Sequence, residues 1–296
     1  MRLATVRDRD AEKACVSTSL GLVPLEGINK QFNRSWPHDM LTLIQSGKLE
    51  ELNEWYSSGG QEALGTLKDQ AIPRDLVKFA PLYRRPRKIW GIGLNYQEHA
   101  ADLSEKAPTT EPASFMKPDT TIIGYGDYVL IPLQSKSTTA EGELGIIIGR
   151  KCKDVERKDW LSVVAGFTPV IDMTAEDILR KNPRYLTMSK GFDTFFSFGP
   201  LLLTPDEIED VMRLNVASVV NGRVHARNVV ANMTFPPDFL LSFHSRVMTM
   251  LPGDIIATGT PGAVPISEGD TVECWIDGFE PLVNPVKDLK KARDIT

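Results

Sequence analysis

The sequence predicts an α+β protein in which β-structure dominates, with a small N-terminal α/β domain in front of a larger β-rich domain. Two observations predict this class. From Lys88 onward, short runs of Val, Ile and Leu alternate with Gly and Pro, which is typical of many short strands. Before that point, apolar residues recur at helical spacing between strand-like pieces. A chain of 296 residues is long enough for both domains.

The N-terminal domain is predicted to span residues 1–85. Its main helix is predicted from His38 to Tyr56, where apolar residues return every three or four positions. A second, polar helix is predicted around Gln61 to Lys68. The stretch that follows is rich in proline and arginine and is typical of a connector, so we place the boundary near Pro86.

The second domain is predicted to span residues 86–296 and to consist mainly of strands. Asn221-Gly222 between two apolar runs predicts a type I′ hairpin, and Pro252-Gly253-Asp254 predicts a turn. Helices should be few and short, chiefly Thr174 to Lys181 and Asp206 to Leu214. The predicted strands are Ile89 to Gly93, Tyr128 to Ile131, Leu144 to Ile148, Val163 to Ile171, Val216 to Val220 and Asp254 to Thr258.

Composition argues against several classes of partner. The formal net charge of -5 disfavours nucleic acid and anionic membranes. The three cysteines, Cys15, Cys152 and Cys274, lack the spacing of a disulfide framework or a zinc motif, which fits a reducing compartment. No signal-peptide pattern and no apolar stretch of membrane-spanning length is found, so a cytoplasmic protein is expected.

Three acidic residues suggest a site for a divalent metal. Glu141 and Glu143 precede the apolar run that starts at Leu144, and side chains two apart on a strand point to the same face. Asp172 follows the next apolar segment. Carboxylates grouped on a buried strand are costly unless a cation neutralises them, and oxygen ligands suit Mg²⁺, Mn²⁺ or Ca²⁺. The alternative is that the two glutamates lie on the solvated face of an edge strand.

Three further patterns carry functional chemistry, each with a plainer alternative. His99 and Asp102 are neighbours if their segment is helical, so the acid could orient a general base; a surface pair is the alternative. Lys117 and Lys190 stand among apolar or small residues, where a lysine can stabilise an oxyanion, although such lysines usually reach solvent. The loop containing Gly259 and Thr260 offers N–H groups and hydroxyls for a carboxylate, or is an ordinary turn.

The order of these motifs resembles the fumarylacetoacetate hydrolase family, whose metal-dependent enzymes act on 2-oxo acids. The resemblance covers about Lys88 to the C-terminus. It rests on G-x-N-Y-x-x-H-A at Gly93 to Ala100, F-x-K-P at Phe115 to Pro118, E-G-E-L at Glu141 to Leu144, G-F-T-x-x-x-D-x-T-A at Gly166 to Ala175, K-G-F-D-T at Lys190 to Thr194, and P-G-D-I-I-A-T-G-T-P at Pro252 to Pro261.

The resemblance implies a role for each matching position. Glu141, Glu143 and Asp172 would bind the metal, usually Mg²⁺ or Mn²⁺. His99 would be the catalytic histidine, with Asp102 where glutamate is more usual. Lys190 would reach the substrate, and Thr260 would hold its carboxylate, with Gly259 and Lys117 also at the substrate. The fold would be the family's mixed β-roll, normally packed as a homodimer.

One departure bears on the substrate. The family commonly has Arg-Asp-x-Gln after its D-x-T-A motif, whereas this chain has Glu176-Asp177-Ile178-Leu179. A cation and a polar side chain are therefore replaced near the expected pocket, which should alter specificity and leave the metal chemistry unchanged.

The leading hypothesis is hydrolysis of the C3–C4 bond of a 2,4-dioxo acid to pyruvate and a carboxylic acid. Oxaloacetate decarboxylation, a lyase reaction, uses the same kind of site without an attacking water. Isomerisation or hydration of an unsaturated 2-oxo acid is a third option. A protein that binds a 2-oxo acid without turnover is the non-enzymatic alternative.

Overall fold

The computed structural model of the chain describes residues 1–9, 11–96 and 108–293. Its strands are β1 Arg2–Asp8, β2 Ala11–Thr18, β3 Gly21–Pro24, β4 Ile89–Gly93, β5 Ala113–Lys117, β6 Ile122–Ile123, β7 Val129–Ile131, β8 Thr138–Ile148, β9 Val164–Ala175, β10 Phe196–Phe198, β11 Leu201–Leu203, β12 Asn215–Val220, β13 Arg223–Val229, β14 Ile255–Ala257, β15 Ala263–Ile266, β16 Thr271–Ile276 and β17 Leu282–Asp288. Its α-helices are α1 Leu25–Phe32, α2 Met40–Gln45, α3 Lys48–Trp55, α4 Gln61–Ala63, α5 Glu176–Lys181, α6 Leu186–Lys190, α7 Pro237–Val247 and α8 Leu289–Arg293.

Two sheets organise the described part of the chain. The larger has the order β3-β2-β1-β11-β9-β8-β14-β4-β5, with β10, β6 and β15 attached beside this path. The smaller has the order β13-β12-β16-β17-β7. Strands from both sides of Pro86 share the larger sheet, since β1 pairs antiparallel with β11. The division into residues 1–85 and 86–296 stays a prediction.

The central antiparallel pair, β8 and β9, is buried along its whole length. Both faces of the pair are therefore covered, although the first half of β8 contains two threonines and two glutamates. On one face, Leu144 and Ile146 of β8 pack in a core with residues of the smaller sheet such as Val216 and Cys274. Side chains alternate along a strand, so Glu141 and Glu143 of β8 point to the opposite face.

That opposite face packs in part against the N-terminal segment. Ile147 of β8 and Val170 of β9 belong to a second core. The first helices contribute apolar residues to this core, among them Ile28, Leu43 and Leu52. Glu143 lies opposite Val170 in the register of the two strands. The N-terminal helices thus cover the same face of the sheet that, further along the strands, bears the acidic residues.

The β-rich mixed fold predicted from the sequence is confirmed. Two predicted helices are wrong in detail. The helix expected from His38 to Tyr56 is broken between α2 and α3 at Gly47, whose positive φ of 73° no helix interior adopts. The helix expected from Asp206 to Leu214 is replaced by two short 3₁₀ turns, Pro205–Glu207 and Val211–Arg213.

Candidate metal centre and substrate cavity

The three predicted acids meet on one face of the β8–β9 pair. Glu141 and Glu143 lie on β8, and Asp172 of β9 lies directly opposite Glu141 in the antiparallel register. Directly opposite residues of paired strands share a face, so all three side chains point the same way. Gly142 between the glutamates faces the smaller sheet, where an added Cβ would lie 2.8 Å from the Ala217 carbonyl oxygen. Glycine at this position lets the two sheets approach.

The geometry of the three carboxylates fits a hard divalent cation. One oxygen from each of Glu141, Glu143 and Asp172 lies within 4.8 Å of the others. The residues are 9%, 1% and 0% exposed. Three buried carboxylates at this spacing repel one another and lack hydration, which a cation with oxygen ligands corrects. Their roles as metal ligands stay a prediction.

Two buried lysines neutralise part of this charge. The Lys190 Nζ, at the end of α6, donates to Glu141 Oε2 at 3.0 Å and to Asp172 Oδ2 at 2.8 Å. The Lys117 Nζ, at the end of β5, donates to Asp172 Oδ1 and to the Met173 carbonyl oxygen. Lys190 also lies over the Phe115 ring, 4.8 Å from its centroid. Neither lysine reaches out to solvent, contrary to the usual behaviour of this residue.

The electrostatics of the cluster follow from this arrangement. Burial raises the pKa of Glu143 well above its usual value, and the charges of Asp172 and Glu141 raise it further. Burial alone would raise the pKa of Asp172, but Lys117 and Lys190 hold it below its usual value. Burial also lowers the pKa of Lys117 to about 8, although Asp172 opposes that shift. Glu143 is therefore the carboxylate with the greatest need of a cation.

The loop after β14 contacts the acids from one side. Gly259 N–H donates to Glu143 Oε2 at 2.8 Å, so this predicted substrate residue positions a glutamate in the structure. Its φ of 96° and the close approach of Asn95 require glycine. Thr260 is 3% exposed and lies beside Ser218, with 3.1 Å between the two hydroxyl oxygens.

Two hydroxyl residues of the site were not predicted. Thr174 Oγ1 donates to Glu141 Oε1 at 2.6 Å. Thr174 lies two residues after Asp172 on β9, so strand alternation places both side chains on one face and could have indicated this residue. Ser218 Oγ accepts from Gly142 N–H at 2.9 Å and donates to the Gly262 carbonyl oxygen at 2.7 Å. No local sequence pattern indicates Ser218, because its partners are distant in sequence.

A cavity of about 480 Å³ opens beside the acids. Glu141, Lys190 and Thr260 line its inner part. The outer wall is mostly apolar and includes Leu94, Phe115, Leu179, Pro183 and Leu186. Glu176 and Arg180 also line it, and they form an ion pair. The volume and the few convergent polar groups are typical of a small-molecule site.

His99 and Asp102, predicted as the catalytic pair, lie outside the described residues. Among the helices that the structure describes, none is long and apolar enough to cross a membrane. The homodimer and the cytoplasmic location stay predictions.

The fold is rich in β-structure, and its cluster of three buried carboxylates and two buried lysines adjoins a cavity of small-molecule size that Glu141 and Lys190 line. The chain belongs to the fumarylacetoacetate hydrolase family. The pattern of the family's C-terminal domain matches residues 88–287.

Three proteins illustrate what the chain is similar to. An uncharacterised protein of Methanocaldococcus jannaschii is 40% identical over 205 residues, which is 69% of this chain and 84% of that protein. The human mitochondrial oxaloacetate tautomerase FAHD2A is 35% identical over 224 residues, which is 73% of this chain and 71% of that protein. The structure of maleylpyruvate hydrolase from Sphingobium sp. SYK-6, in complex with manganese(II) and pyruvate, superposes with a TM-score of 0.78 at 28% identity, covering 97% of this chain and 99% of that one.

Proposed function

We propose that the protein is a divalent-metal-dependent hydrolase that cleaves the C3–C4 bond of a 2,4-dioxo acid, an acylpyruvate, into pyruvate and a carboxylic acid. The observation that supports this most strongly is the grouping of Glu141, Glu143 and Asp172, whose oxygens lie within 4.8 Å of one another. The cavity and the buried lysines beside them accommodate a small anion.

We propose that Glu141, Glu143 and Asp172 hold Mg²⁺ or Mn²⁺, with Ca²⁺ as a third candidate. The donor set fits, because all three side chains offer oxygen and the raised pKa of Glu143 reflects a buried charge that lacks compensation. Manganese(II) in the maleylpyruvate hydrolase crystal supports the same class of ion. When bound, such an ion supplies a positive charge that polarises the 2-oxo acid group.

The remaining groups of the cavity would orient the substrate. Thr260, at the cavity wall, is proposed to hold the substrate carboxylate through its hydroxyl. The Lys190 ammonium lies between Glu141 and Asp172, and it is proposed to stabilise negative charge that develops on the 2-oxo oxygen. Lys117 keeps Asp172 in place and adds a second positive charge.

The proposed reaction needs one water and one base. We assign the base to His99, oriented by Asp102, from their place in the family motif. His99 takes a proton from water as the water oxygen bonds to C4, and the C3–C4 bond then breaks. Its electron pair passes to C3, which gains a proton to give pyruvate, while C4 leaves as the carboxylic acid. Each step conserves atoms and charge, and no oxidant is required.

Turnover of oxaloacetate is the second candidate, favoured by the relative named oxaloacetate tautomerase. Tautomerisation moves one proton between C3 and the 2-oxo oxygen, and decarboxylation breaks the C3–C4 bond with loss of carbon dioxide. Both reactions place negative charge on the 2-oxo oxygen, which Lys190 would stabilise as in the hydrolase reaction. Neither reaction needs an attacking water. Isomerisation of an unsaturated 2-oxo acid would use the same charge stabilisation.

The test compares acetylpyruvate with oxaloacetate on purified protein that has been stripped of metal with a chelator. We expect pyruvate release from acetylpyruvate only after Mg²⁺ or Mn²⁺ is restored. Calorimetric titration with Mn²⁺ should show one site, which Glu143→Gln removes. His99→Ala should abolish turnover while the Mn²⁺ site remains, because His99 is proposed to act on water.

Glu54→Gln provides the matched control, since Glu54 is exposed and lies on α3. Pyruvate release that persists in the chelator would reject metal dependence. Conversion of oxaloacetate without cleavage of acetylpyruvate would replace the hydrolase with the second candidate. Tight binding of pyruvate with no turnover of either compound would favour a binding protein.

A further inference from the structure

The cavity contains an ion pair at a distance from the three acids. Glu176 begins α5, directly after β9, and its Oε1 accepts a hydrogen bond from Arg180 Nε at 2.8 Å. Both residues line the cavity. The pair joins positions i and i+4 of one helix, which is the usual spacing for such contacts.

The two partners of this pair differ in exposure. The Glu176 side chain is 13% exposed, whereas that of Arg180 is 71% exposed. The carboxylate is therefore the member held inside the wall, and the guanidinium is mostly hydrated. Water screens the positive charge more than the negative one, so the wall at this point presents a net negative field to a ligand inside the cavity.

Glu176 follows the last residue of β9, four residues beyond Asp172, one of the proposed metal ligands. Asp172 and Thr174 share the acid face of β9, and Glu176 continues this alternation just past the strand end. Four residues of strand span roughly 13 Å. Glu141, which lies opposite Asp172, and Glu176 both line the cavity, so a substrate whose 2-oxo acid group lies near Glu141 has room to extend its tail toward Glu176.

The surroundings of Glu176 are apolar. Leu179, Pro183 and Leu186 line the same wall, and Leu94 and Phe115 also line the cavity. Such a surface favours an uncharged hydrocarbon tail through removal of apolar area from water. A carboxylate placed here would lose hydration and would meet the Glu176 carboxylate, whose Oε1 already holds the Nε of Arg180.

We propose that Glu176 is a specificity-determining residue that restricts the site to 2,4-dioxo acids with an uncharged alkyl or aryl acyl group and rejects those with a second carboxylate. The proposal rests on the proposed function, since it names the substrate class of that same site. Glu176 acts in two ways, by repelling a distal carboxylate and by offsetting the positive charge of Arg180, whose Nε it holds.

The experiment compares two substrates of matched shape. Succinylpyruvate (2,4-dioxoheptanedioate) ends in a carboxylate, and 7-methyl-2,4-dioxooctanoate carries an isopropyl group in its place. With Mn²⁺ present, we expect kcat/KM of the wild-type protein to be at least about tenfold higher for the uncharged substrate. Glu176→Gln should raise kcat/KM for succinylpyruvate by about tenfold, because the repulsion is removed and the charge of Arg180 is no longer offset. It should change kcat/KM for the uncharged substrate by no more than about twofold.

Arg180→Gln is the companion variant, and it serves also if Glu176→Gln fails to fold. Arg180 is exposed, and its replacement leaves Glu176 without a counter-charge, so kcat/KM for succinylpyruvate should fall further while that for the uncharged substrate is retained. Glu54→Gln again serves as the control for loss of a surface carboxylate and should change neither value.

A second measurement keeps the inference separate from the hydrolase assignment. Binding of two 2-oxo acids of the same chain length that lack the 4-oxo group, 2-oxoheptanedioate and 7-methyl-2-oxooctanoate, is followed by calorimetry with Mn²⁺ present. If neither dioxo acid is cleaved, the proposed function fails, and these two affinities still decide the selectivity. Wild-type preference for the dicarboxylates, or a preference that Glu176→Gln leaves unchanged, would overturn the role of Glu176.

Discussion

The hydroxyl of Ser218 connects β8, the strand of the two glutamates, with the loop after β14. Ser218 of β12 accepts from Gly142 N–H, lies 3.1 Å from the Thr260 hydroxyl oxygen and donates to the Gly262 carbonyl oxygen. It is 2% exposed, so these partners have little access to water. Thr260 lines the cavity and Ser218 stands behind it, so the role of Ser218 would be to position Thr260.

We expect Ser218→Ala to lower both stability and substrate affinity. Loss of the hydroxyl leaves the buried Gly142 N–H without this partner and leaves the Gly262 carbonyl with only the hydrogen bond from Thr260 Oγ1 at 3.1 Å. The unpaired N–H costs about 1–3 kcal/mol in the free energy of unfolding. KM for acetylpyruvate should rise, because the Thr260 hydroxyl loses one of its two neighbours and is then held by Gly262 alone. Urea unfolding and steady-state kinetics measure the two effects.

The matched control is Ser162→Ala, which removes an exposed hydroxyl that donates to the Asp159 carbonyl oxygen. It should leave both quantities unchanged. Lower stability of Ser218→Ala with an unaltered KM would show that Ser218 only supports the fold and does not position Thr260.

At the scale of single elements, α7 contains a buried histidine. His244 is 0% exposed, its Nδ1 lies 2.7 Å from the Leu240 carbonyl oxygen, and its ring packs 4.6 Å from that of Trp90. Within the described structure, its Nε2 has no hydrogen-bond partner. Burial lowers the pKa of His244, and the contact with Leu240 offsets only part of that shift.

This histidine should make stability depend on pH. Because its folded pKa lies below the unfolded value of about 6.5, the unfolded chain binds the proton more readily. The contribution of His244 is therefore fully present above that value and is lost as the pH falls below it. We expect the free energy of unfolding to decline between pH 7.5 and pH 5.5 by up to about 1.4 kcal/mol per pH unit more in the wild-type protein than in His244→Phe.

His225→Phe is the matched control, since His225 is exposed on β13. Its unfolding profile should follow that of the wild-type protein at each pH. Identical pH profiles for His244→Phe and the wild-type protein would contradict the assignment.

Elements whose pattern is local could be predicted from the sequence. β4 was predicted and is found at Ile89–Gly93, and the Asn221-Gly222 turn has the positive φ at both residues that a type I′ turn requires. The break at Gly47 was missed, because the apolar spacing continues across it. Patterns of spacing indicate which residues face the core and say little about where a helix is interrupted.

The candidate site was predictable only in part. Glu141 and Glu143 share a strand, so alternation alone predicts that they point the same way. The contact between Lys117 and Asp172 joins residues 55 apart in sequence, and that between Ser218 and Gly142 joins residues 76 apart. Such contacts depend on how the strands are ordered in the sheets. The motif resemblance implied a place at the substrate for Lys190, and it indicated neither the contact of Lys117 with Asp172 nor that of Ser218 with Gly142.

At the scale of the whole molecule, the N-terminal segment and the rest of the chain share one sheet and one core. Leu3 of β1 pairs with Leu202 of β11 and is fully buried. It belongs to the core that also contains Ile147 of β8 and Val170 of β9. Stability of the N-terminal segment should therefore be coupled to that of the strands that bear the acids.

Leu3→Ala tests this coupling. Loss of a buried leucine side chain should reduce the free energy of unfolding by about 2–5 kcal/mol. Fluorescence of Trp36 in the N-terminal segment, isolated by replacing the other tryptophans with phenylalanine, should report the same urea midpoint as far-ultraviolet circular dichroism. Two separate transitions would show that residues 1–85 and 86–296 unfold as independent domains.

Gly142 links the packing of the two sheets to the position of Glu141 and Glu143. It is a point of close approach between the smaller sheet and β8, and a methyl group there would meet the Ala217 carbonyl oxygen at 2.8 Å. Any larger residue must push the two sheets apart and would shift the glutamates on either side together. A substitution on the cavity wall alters one contact at a time, whereas a substitution at Gly142 should move Glu141 and Glu143 together.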